Sequence, residues 1–466
     1  MLFLINYTKA CIYSSIYYFH KSDILLDIII HNIHNCGCIA IKFTQWLLPR
    51  LELIYDLNPT QDKWFKKLEE FYEYNHTHDI SYTKQIYHQD FHKSFNDDYI
   101  FDSIIGSGSI GQVYKIKHKH TNQYYAMKIN HPHINHQIIF LKYIILFIQY
   151  IPFINKQMNY YIPIDLYQFI LDFKNQTNMI LETNNCLRFY EYYKDNDLII
   201  IPKIISFSKN IIIMSYEEGI RFDDLQVNNY MKFKCIQLLQ IFIKNNQLIT
   251  NFNHGDLHKG NWKIKLNHKS QPSLIIYDFG FCWDLPYQDK PMLFFIDETF
   301  HNLDNGKNCY DDLIKVCKFL LSNQCKSETI KQEIPPTKLY DISHNPELLF
   351  KSIISICKKE KIILDSILLQ ILIHMNIITK YLKQYGLMDL QGDLDTKFKH
   401  YEYFRRRLID IYCLCKTHNI FHDYQSYIES KIDSLEINGL FETIGKEYDF
   451  SNIKQFLHPK KIIKSV

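Results

Sequence analysis

Two short stretches of the chain, more than a hundred residues apart, constrain the fold more than any other feature. The first is a glycine-rich run, Gly106-Ser-Gly-Ser-Ile-Gly111, and the second is His254-Gly-Asp-Leu-His-Lys-Gly-Asn261 followed by Asp278-Phe-Gly280. Glycines at this spacing let backbone amides approach phosphate oxygens. The later stretch supplies a lone carboxylate, an amide and a second carboxylate in the order that phosphoryl transfer uses. Together the two stretches predict a kinase-like, ATP-binding protein.

The glycine-rich run alone is weak evidence for a nucleotide site, and an ordinary hairpin is its alternative. Lys128 strengthens the prediction because it lies on the third strand downstream, where an ammonium reaches the α and β phosphates. Without the loop and Asp256, a solvated strand lysine would explain it equally well. The predicted nucleotide site consists of Gly106, Ser107, Gly108, Ser109, Gly111, Val113 and Lys128, with adenine contacts from the backbone around Met214–Glu217, including Met214 and Tyr216.

The stretch from His254 to Asn261 carries the predicted chemistry. Asp256 can accept the proton of an acceptor hydroxyl or orient it, while Asn261 and Asp278 are the predicted Mg²⁺ ligands and ATP completes the coordination. A purely structural role for Asp256, in a turn or as a helix N-cap, is the alternative, and the downstream Asn261 and Asp278 disfavour it. Glu182 is a candidate partner of Lys128, although spacing alone equally allows Glu191 or a surface role.

The order of elements predicts an α+β, protein-kinase-like fold of two lobes, with a helical N-terminal extension over residues 1–98, a small lobe over 99–216 and a large lobe with a helical C-terminal tail over 217–466. Within the extension we expect helices broken at Pro49 and Pro59, and an irregular link over 75–98. The predicted strands are Tyr99–Ile105, Gln112–Lys119, Gln123–Ile129, Ile199–Ile205, Ile211–Tyr216 and Ser273–Tyr277.

Composition narrows the choice of partners and compartment. A net charge of +3 over 466 residues carries no nucleic-acid signature. Scattered cysteines without Cys-x-x-Cys spacing favour a reduced, intracellular protein, and the first twenty residues lack arginine, so they are a poor match to a transit peptide. The longest apolar run, Ile138 to Ile154, contains Lys142, Gln149 and Pro152, which favours a buried or membrane-surface helix over a bilayer span.

Four motifs resemble those of the UbiB family of atypical kinases, whose members serve coenzyme Q and lipid metabolism. The family's Lys-x-Gly-Gln motif with following Trp and Arg is matched by Lys42-Phe-Thr-Gln45-Trp46 and Arg50, with threonine in place of glycine. Ser109-Ile-Gly-Gln-Val113 is similar to the family's Ser-Ile-Gly-Gln-Val core. The other two matches are Glu182-Thr-Asn-Asn185 with Phe189, and His254 to Asn261.

The resemblance implies a kinase transferase that binds ATP and Mg²⁺, and it selects Glu182 as the partner of Lys128. It also implies that Lys42 and Gln45 fold over the nucleotide site. Mitochondrial or membrane association, with a lipid or membrane surface as a further partner, is implied by the resemblance only. Gly106 and Gly108 place the chain nearer a glycine-bearing branch than the alanine-rich majority. Gln176 and Asn178 replace an acidic pair, so Lys42 is expected to face amides.

Several other functions compete with a UbiB-type enzyme. A conventional protein kinase should carry Ala-Pro-Glu after Asp278-Phe-Gly280, and no alanine follows Ala126. A small-molecule kinase of the aminoglycoside or choline type shares the His-Gly-Asp-Leu-His…Asn pattern. A catalytically idle, regulatory ATP-binding module is the alternative outside the enzymes, and ATP hydrolysis without phosphate transfer is as plausible as transfer to an acceptor.

Overall fold

The computed structural model describes residues 2–55, 67 and 77–388, except 21, 162, 164, 195–197, 269, 271, 287 and 305–307. The end of the predicted helical tail, 389–466, and Pro59 lie outside the described residues.

Over residues 2–55, the N-terminal extension forms three helices. They are α1 (Leu2–Phe19), α2 (Asp23–Asn35) and α3 (Cys38–Tyr55). Gly37, with φ at +89°, joins α2 to α3 in the left-handed region that favours glycine. The predicted break at Pro49 is wrong, because α3 continues through it. An internal proline costs about 3 kcal/mol, and buried Ile39 and Trp46 anchor the first half of this helix in the core.

The predicted irregular link is also wrong, because residues 80–98 form two helices, α4 (Ile80–Phe91) and α5 (Phe95–Asp98). Asp79 begins α4 as its N-cap by accepting a hydrogen bond from the backbone N–H of Ser81. Tyr87 of α4 is 1% exposed and packs with aromatic and aliphatic side chains of the neighbouring sheet. Burial of Tyr87 therefore stabilises a helix whose other positions are mostly polar.

The small lobe is built on an antiparallel sheet of five strands in the order β1-β2-β3-β6-β5. The strands are β1 (Tyr99–Ser107), β2 (Gly111–His118), β3 (Tyr124–Asn130), β5 (Ile204–Phe207) and β6 (Ile211–Ser215). A Cβ atom at Gly111 would lie 2.4 Å from the carbonyl oxygen of Ile129. Gly111 is therefore needed for the close approach of β2 to β3.

Four helices follow β3 in the chain: α6 (Ile134–Tyr150), α7 (Pro152–Tyr161), α8 (Leu166–Gln176) and α9 (Met179–Tyr193). The single strand predicted over Ile199–Ile205 is wrong. Its first part is β4 (Ile199–Ile200), which joins a large-lobe sheet, and its last residues start β5 in the small lobe. Pro202 lies between the two strands and has no N–H to donate to a ladder.

The large lobe combines two small sheets with helices. Its sheets have the orders β4-β9-β8 and β10-β7. Their other strands are β7 (Asn253–His254), β8 (Trp262–Leu266), β9 (Pro272–Ile276) and β10 (Cys282–Trp283). The helices are α10 (Asn229–Asn245) with a π-helical turn (Asn246–Thr250), α11 (Lys290–Asp304), α12 (Tyr310–Leu320), α13 (Ser327–Glu333), a 3₁₀ turn (Pro336–Lys338), α14 (Leu339–His344), α15 (Pro346–Glu360) and α16 (Ser366–Gln384).

Helix α3 of the extension is part of the main hydrophobic core. Ile39 and Trp46 share one buried cluster with Ile110 of the glycine-rich loop, Phe169 of α8 and side chains of the large-lobe helices. The helix packs on α6 and on α15. This packing holds Lys42 and Gln45, which lie on the same helix, beside the residues that the sequence assigns to the nucleotide site.

Candidate active site

The glycine-rich loop lies between β1 and β2 and is closed by its own backbone. The N–H of Gly108 donates to the carbonyl of Gly111 at 2.9 Å. Nε2 of buried His131 lies 2.9 Å from the carbonyl oxygen of Gly108 and acts as the donor, since a carbonyl only accepts. A Cβ atom at Gly106 would meet no atom within 4 Å, so one side of this loop is open. Gly106 and Gly108 stay predicted phosphate contacts, whereas Gly111 also has a structural role in the sheet.

Lys128 on β3 lies at the centre of a buried charge cluster. Its Nζ is 2.6 Å from Oε1 of Glu182 and 3.0 Å from Oδ1 of Asp278. The Lys128 and Glu182 side chains are 8% and 3% exposed, whereas that of Asp278 is 35% exposed. Burial opposes the charge on Lys128, but the two carboxylates outweigh it and raise the pKa of the ammonium above its ordinary value. The cluster thus has one buried acid and one acid open to a ligand.

Helix α9 positions Glu182. Asn178 caps the helix by accepting hydrogen bonds from the N–H groups of Ile180 and Leu181, and Glu182 follows in the first turn. One turn further, Nδ2 of Asn185 donates to the carbonyl of Phe279 at 2.9 Å. The Glu182-Thr-Asn-Asn185 motif therefore contacts both Lys128 and the Asp278-Phe-Gly280 segment.

Asp278 has a strained backbone conformation. Its φ is +57°, in the left-handed region that costs non-glycine residues energy. Burial opposes ionisation of its carboxyl group, but Lys128 and then Lys42 lower its pKa well below the ordinary value. Asp278 is therefore a carboxylate over the physiological pH range.

The predicted catalytic loop, which is the stretch His254–Asn261, is held by hydrogen bonds from His254 and Asn261. Nε2 of His254 donates to the carbonyl of Tyr277 at 3.0 Å, and its Nδ1 accepts from the N–H of Asp256 at 3.2 Å. This pattern requires the neutral imidazole, and burial lowers the pKa of His254 accordingly. Nδ2 of Asn261 donates to the carbonyl of Asp256 at 2.8 Å. The loop therefore presents Asp256 from a backbone fixed on both sides.

Lys42 forms an ion pair with Asp256, 214 residues further along the chain. Its Nζ lies 2.7 Å from Oδ2 of Asp256, and the two side chains are 8% and 26% exposed. Burial favours the neutral carboxyl group, but Lys42 and then His258 lower the pKa of Asp256 to about 2. While this pair is formed, the carboxylate is a weak base and one of its oxygens is occupied.

The charged partner of Lys42 is Asp256, and the expected position of Lys42 opposite Gln176 and Asn178 stays a prediction. Asn178 uses its side-chain oxygen to cap α9, and Gln176 is 3% exposed, with its backbone beside Gly280. A second contact attaches α3 to the loop, because Oγ of Ser109 donates to Oε1 of Gln45 at 3.0 Å. The extension therefore reaches both the glycine-rich loop and Asp256, the predicted catalytic residue.

The predicted magnesium ligands fit a metal that arrives with ATP. Asp278 supplies an ionised carboxylate, and because Nδ2 of Asn261 is used, Oδ1 is the ligand atom that Asn261 supplies. Across residues 2–55 and 77–388, without their gaps, no cluster of three or more His, Cys, Asp or Glu forms a metal site. One carboxylate and one amide suit a Mg²⁺ ion that takes its remaining ligands from phosphates and water.

The predicted hinge lies apart from the charge cluster, at the end of β6. Met214 and Ser215 pair with Ala126 and Tyr125 of β3. Tyr216 follows, with its ring 4.6 Å from Nζ of Lys115. The hydroxyl of Tyr277 donates to the carbonyl of Glu217 at 2.9 Å. Met214 and Tyr216 stay predicted adenine contacts.

The structure thus brings together six of the predicted residues: Lys42, Lys128, Glu182, Asp256, Asn261 and Asp278. Gln45 and Ser109 contact each other beside this group, and Val113 is paired with Lys128 across β2 and β3. Sequence reasoning missed the contacts of His131 with Gly108, of Tyr277 with Glu217, and of Tyr381, whose hydroxyl donates to the carbonyl of Leu257. None of the three belongs to a recognisable motif, so no local signal could have found them.

Parts of the chain are similar to known kinase-like proteins. The ABC1 atypical kinase-like domain matches residues 75–307, half of the chain. A probable protein kinase UbiB of Blochmanniella pennsylvanica is 30% identical over 139 residues, which are 28% of this chain and 25% of that protein. The chloroplastic protein Activity of bc1 complex kinase 3 of Arabidopsis thaliana is 28% identical over 204 residues, 41% of this chain and 28% of the relative.

The matched stretch therefore spans only about a quarter of the length of these relatives. Among solved structures, Rv3197 of Mycobacterium tuberculosis in complex with erythromycin aligns with a TM-score of 0.39 and 13% identity, covering 60% of this chain and 83% of that one. The domain match confirms the predicted protein-kinase-like α+β fold, and it includes every predicted site residue except Lys42 and Gln45.

Proposed function

Because the chain belongs to the ABC1 atypical kinase-like family, which includes UbiB, we propose that it is a Mg²⁺-dependent enzyme that transfers the γ-phosphoryl group of ATP to an acceptor or to water. One observation carries the proposal. Nζ of Lys128 lies within 3.0 Å of both Glu182 and Asp278, which is the arrangement that kinases use to hold and neutralise ATP phosphates.

Each polar residue has a distinct part in the proposed reaction. Lys128 binds the phosphates, and Glu182 holds its ammonium in place. Asp256 accepts the proton of the attacking hydroxyl or orients it, while the bond from the β,γ-bridging oxygen to the γ-phosphorus breaks and ADP leaves. A bound Mg²⁺ would neutralise phosphate charge, held by Asp278 and Asn261.

The proposed acceptor is a small or lipid-like molecule of lipid or quinone metabolism, or water. Support comes from the family resemblance and from the absence of the Ala-Pro-Glu segment that anchors peptide substrates in conventional protein kinases. A small-molecule kinase of the aminoglycoside or choline type and a catalytically idle ATP-binding module are the competing proposals.

The test is ATP turnover by the purified chain with Mg²⁺ or with EDTA, alone and with liposomes, quinone-precursor-like phenols, choline or an aminoglycoside. Metal-dependent turnover that phenols or liposomes increase supports the proposal. Selective phosphorylation of choline or the aminoglycoside supports the small-molecule kinase. ATP binding without turnover under every condition supports the idle module.

We expect Lys42→Ala to raise basal ATP turnover about fivefold, because a partly exposed ion pair contributes about 1 kcal/mol and must open before Asp256 can act. Initial rates at saturating ATP measure the effect. Lys42→Arg keeps the positive charge and is the matched control, with a rate near that of the wild type. A lower rate in Lys42→Ala would instead assign Lys42 to the groups that assist the reaction.

We also propose that the chain binds anionic membrane surfaces through one face of α6. Ile139, Tyr143, Phe147 and Tyr150 lie on this face and are 54%, 67%, 65% and 85% exposed. The opposite stripe, which includes Ile138, is buried in the main core. A helix that is apolar on all sides needs an apolar environment on each side.

The charge around this face favours lipid over protein as its partner. No Asp or Glu occurs between Asp102 and Asp165. Lys142 lies on α6, and Lys156 lies on the next helix, α7. Tyrosine, phenylalanine and lysine together are typical of helices that lie in the interface of an anionic bilayer. Among the helices in the described part of the chain, none is long and apolar enough to cross a membrane.

We expect the triple variant Tyr143→Glu, Phe147→Glu, Tyr150→Glu to bind vesicles at least about tenfold more weakly, because it removes apolar burial and adds repulsion from anionic lipid. Cosedimentation with phosphatidylcholine vesicles, with and without phosphatidylglycerol, measures binding. Ile100→Glu with Ile205→Glu, at exposed sheet positions, is the matched control. Unchanged binding by the triple variant overturns the proposal, as does a concentration-dependent dimer that covers this face in the wild type.

A further inference from the structure

Helix α16 lies outside residues 75–307, which match the family, yet it contacts the catalytic loop directly. The hydroxyl of Tyr381 donates to the carbonyl of Leu257 at 3.0 Å. Leu257 is the residue after Asp256, so this hydrogen bond acts on the peptide unit next to the proposed base.

The contact between Tyr381 and the loop is buried on both sides. Tyr381 is 5% exposed, Leu257 is 3% exposed, and the ring of Tyr381 packs edge-on against Trp262 at 5.7 Å. Trp262 follows Asn261 directly in the chain. A buried carbonyl that loses its donor has no water to replace it, so the hydrogen bond restrains the loop.

A second contact holds the same loop from the end of α16. The hydroxyl of Tyr385 donates to Oδ1 of Asp223, and Oδ2 of Asp223 accepts from Nζ of Lys259 at 2.9 Å. Lys259 lies in the catalytic loop, between Asp256 and Asn261. The ring of Tyr385 packs edge-on against Phe222 at 4.7 Å, which fixes its direction.

We propose that Tyr381 and Tyr385 are positioning residues that set the geometry of the catalytic loop, so that α16 is part of the active-site machinery. This inference rests on the proposed function for its effect on rate, and on contacts alone for its effect on the loop. Tyr381 restrains the backbone after Asp256, and Tyr385 restrains Lys259 through Asp223. Two restraints on either side of His258 keep Asp256 and Asn261 at a constant separation.

The test compares Tyr381→Phe and Tyr385→Phe with the wild-type chain by hydrogen exchange and by kinetics. We expect amides of residues 254–261 to exchange at least about threefold faster in each variant, as for a loop that loses one restraint. We expect kcat to fall about fivefold in Tyr381→Phe, which loses a buried hydrogen bond, and less in Tyr385→Phe, whose hydrogen bond to Asp223 is exposed, with the KM for ATP changed less than about twofold in both.

Tyr310→Phe is the matched control, because the Tyr310 hydroxyl also donates to a backbone carbonyl, that of Ile334 at 2.9 Å, away from the loop. It should leave both measurements unchanged. Normal exchange over 254–261 in Tyr381→Phe overturns the inference, and so does faster exchange with unchanged kcat. If the wild type hydrolyses no ATP but the variants still exchange faster, the restraint of the loop stands and the proposed function fails.

Discussion

Asp256→Asn is expected to lower ATP turnover by at least about a thousandfold while leaving ATP affinity within about twofold of the wild type. In the proposed reaction the Asp256 carboxylate accepts or orients the acceptor proton, and an amide cannot take that proton. Asp256 contacts Lys42, whereas the predicted phosphate ligand is Lys128. Turnover by product formation and affinity by calorimetry separate the two effects.

The substitution also removes the partner of Lys42, whose side chain is 8% exposed. A lower midpoint of thermal unfolding is therefore expected, and Lys42→Met together with Asp256→Asn should recover the midpoint without recovering turnover. Asp311→Asn, on the exposed start of α12, is the control for loss of a carboxylate. Turnover at the wild-type rate in Asp256→Asn would remove Asp256 from the reaction.

Lys128→Met is expected to lower both ATP affinity and turnover by at least about a hundredfold and to destabilise the fold by about 3–5 kcal/mol. Loss of the ammonium removes the predicted phosphate contact and leaves the Glu182 carboxylate, 3% exposed, without its partner. Asp278 is 35% exposed and can be hydrated instead. Urea unfolding and calorimetry of ATP binding measure the two effects.

A double variant distinguishes stability from function at this cluster. Lys128→Met with Glu182→Gln removes the orphaned charge, so the free energy of unfolding should recover by about half or more while ATP binding stays weak. Lys117→Met, on the neighbouring strand β2, is the control for loss of a lysine. It should change neither the free energy of unfolding nor the affinity for ATP. Unchanged ATP affinity in Lys128→Met would contradict its assignment to the phosphates.

Local patterns predicted much of the small lobe correctly. The strands expected over Gln112–Lys119 and Gln123–Ile129 are found at Gly111–His118 and Tyr124–Asn130. Alternating side chains and the Thr121-Asn122 turn are properties of adjacent residues, so they can be recognised without the fold. The order of the glycine-rich loop, Lys128, the catalytic loop and Asp278 along the chain can likewise be recognised without the fold.

Prediction failed where a distant contact outweighs a local preference. Helix Ile80–Phe91 has a mostly polar sequence, and only its N-cap, Asp79, marks its start. Burial of Tyr87 against the sheet stabilises it. The predicted strand Ile199–Ile205 divides because β4 pairs with β9 and β5 pairs with β6, two partners in different lobes.

By itself, the sequence determined which candidate phosphate-binding groups the protein carries and in what order they follow along the chain, because motif spacing is a covalent property. Only the tertiary structure decided which groups meet. Lys42 pairs with Asp256 across 214 residues, and Tyr381 reaches Leu257 across 124. Long-range attraction between charges does not distinguish one acidic partner of a lysine from another. The packing of α3 and α16 selects these partners, because charge and hydrogen-bond energies become specific only at contact distance.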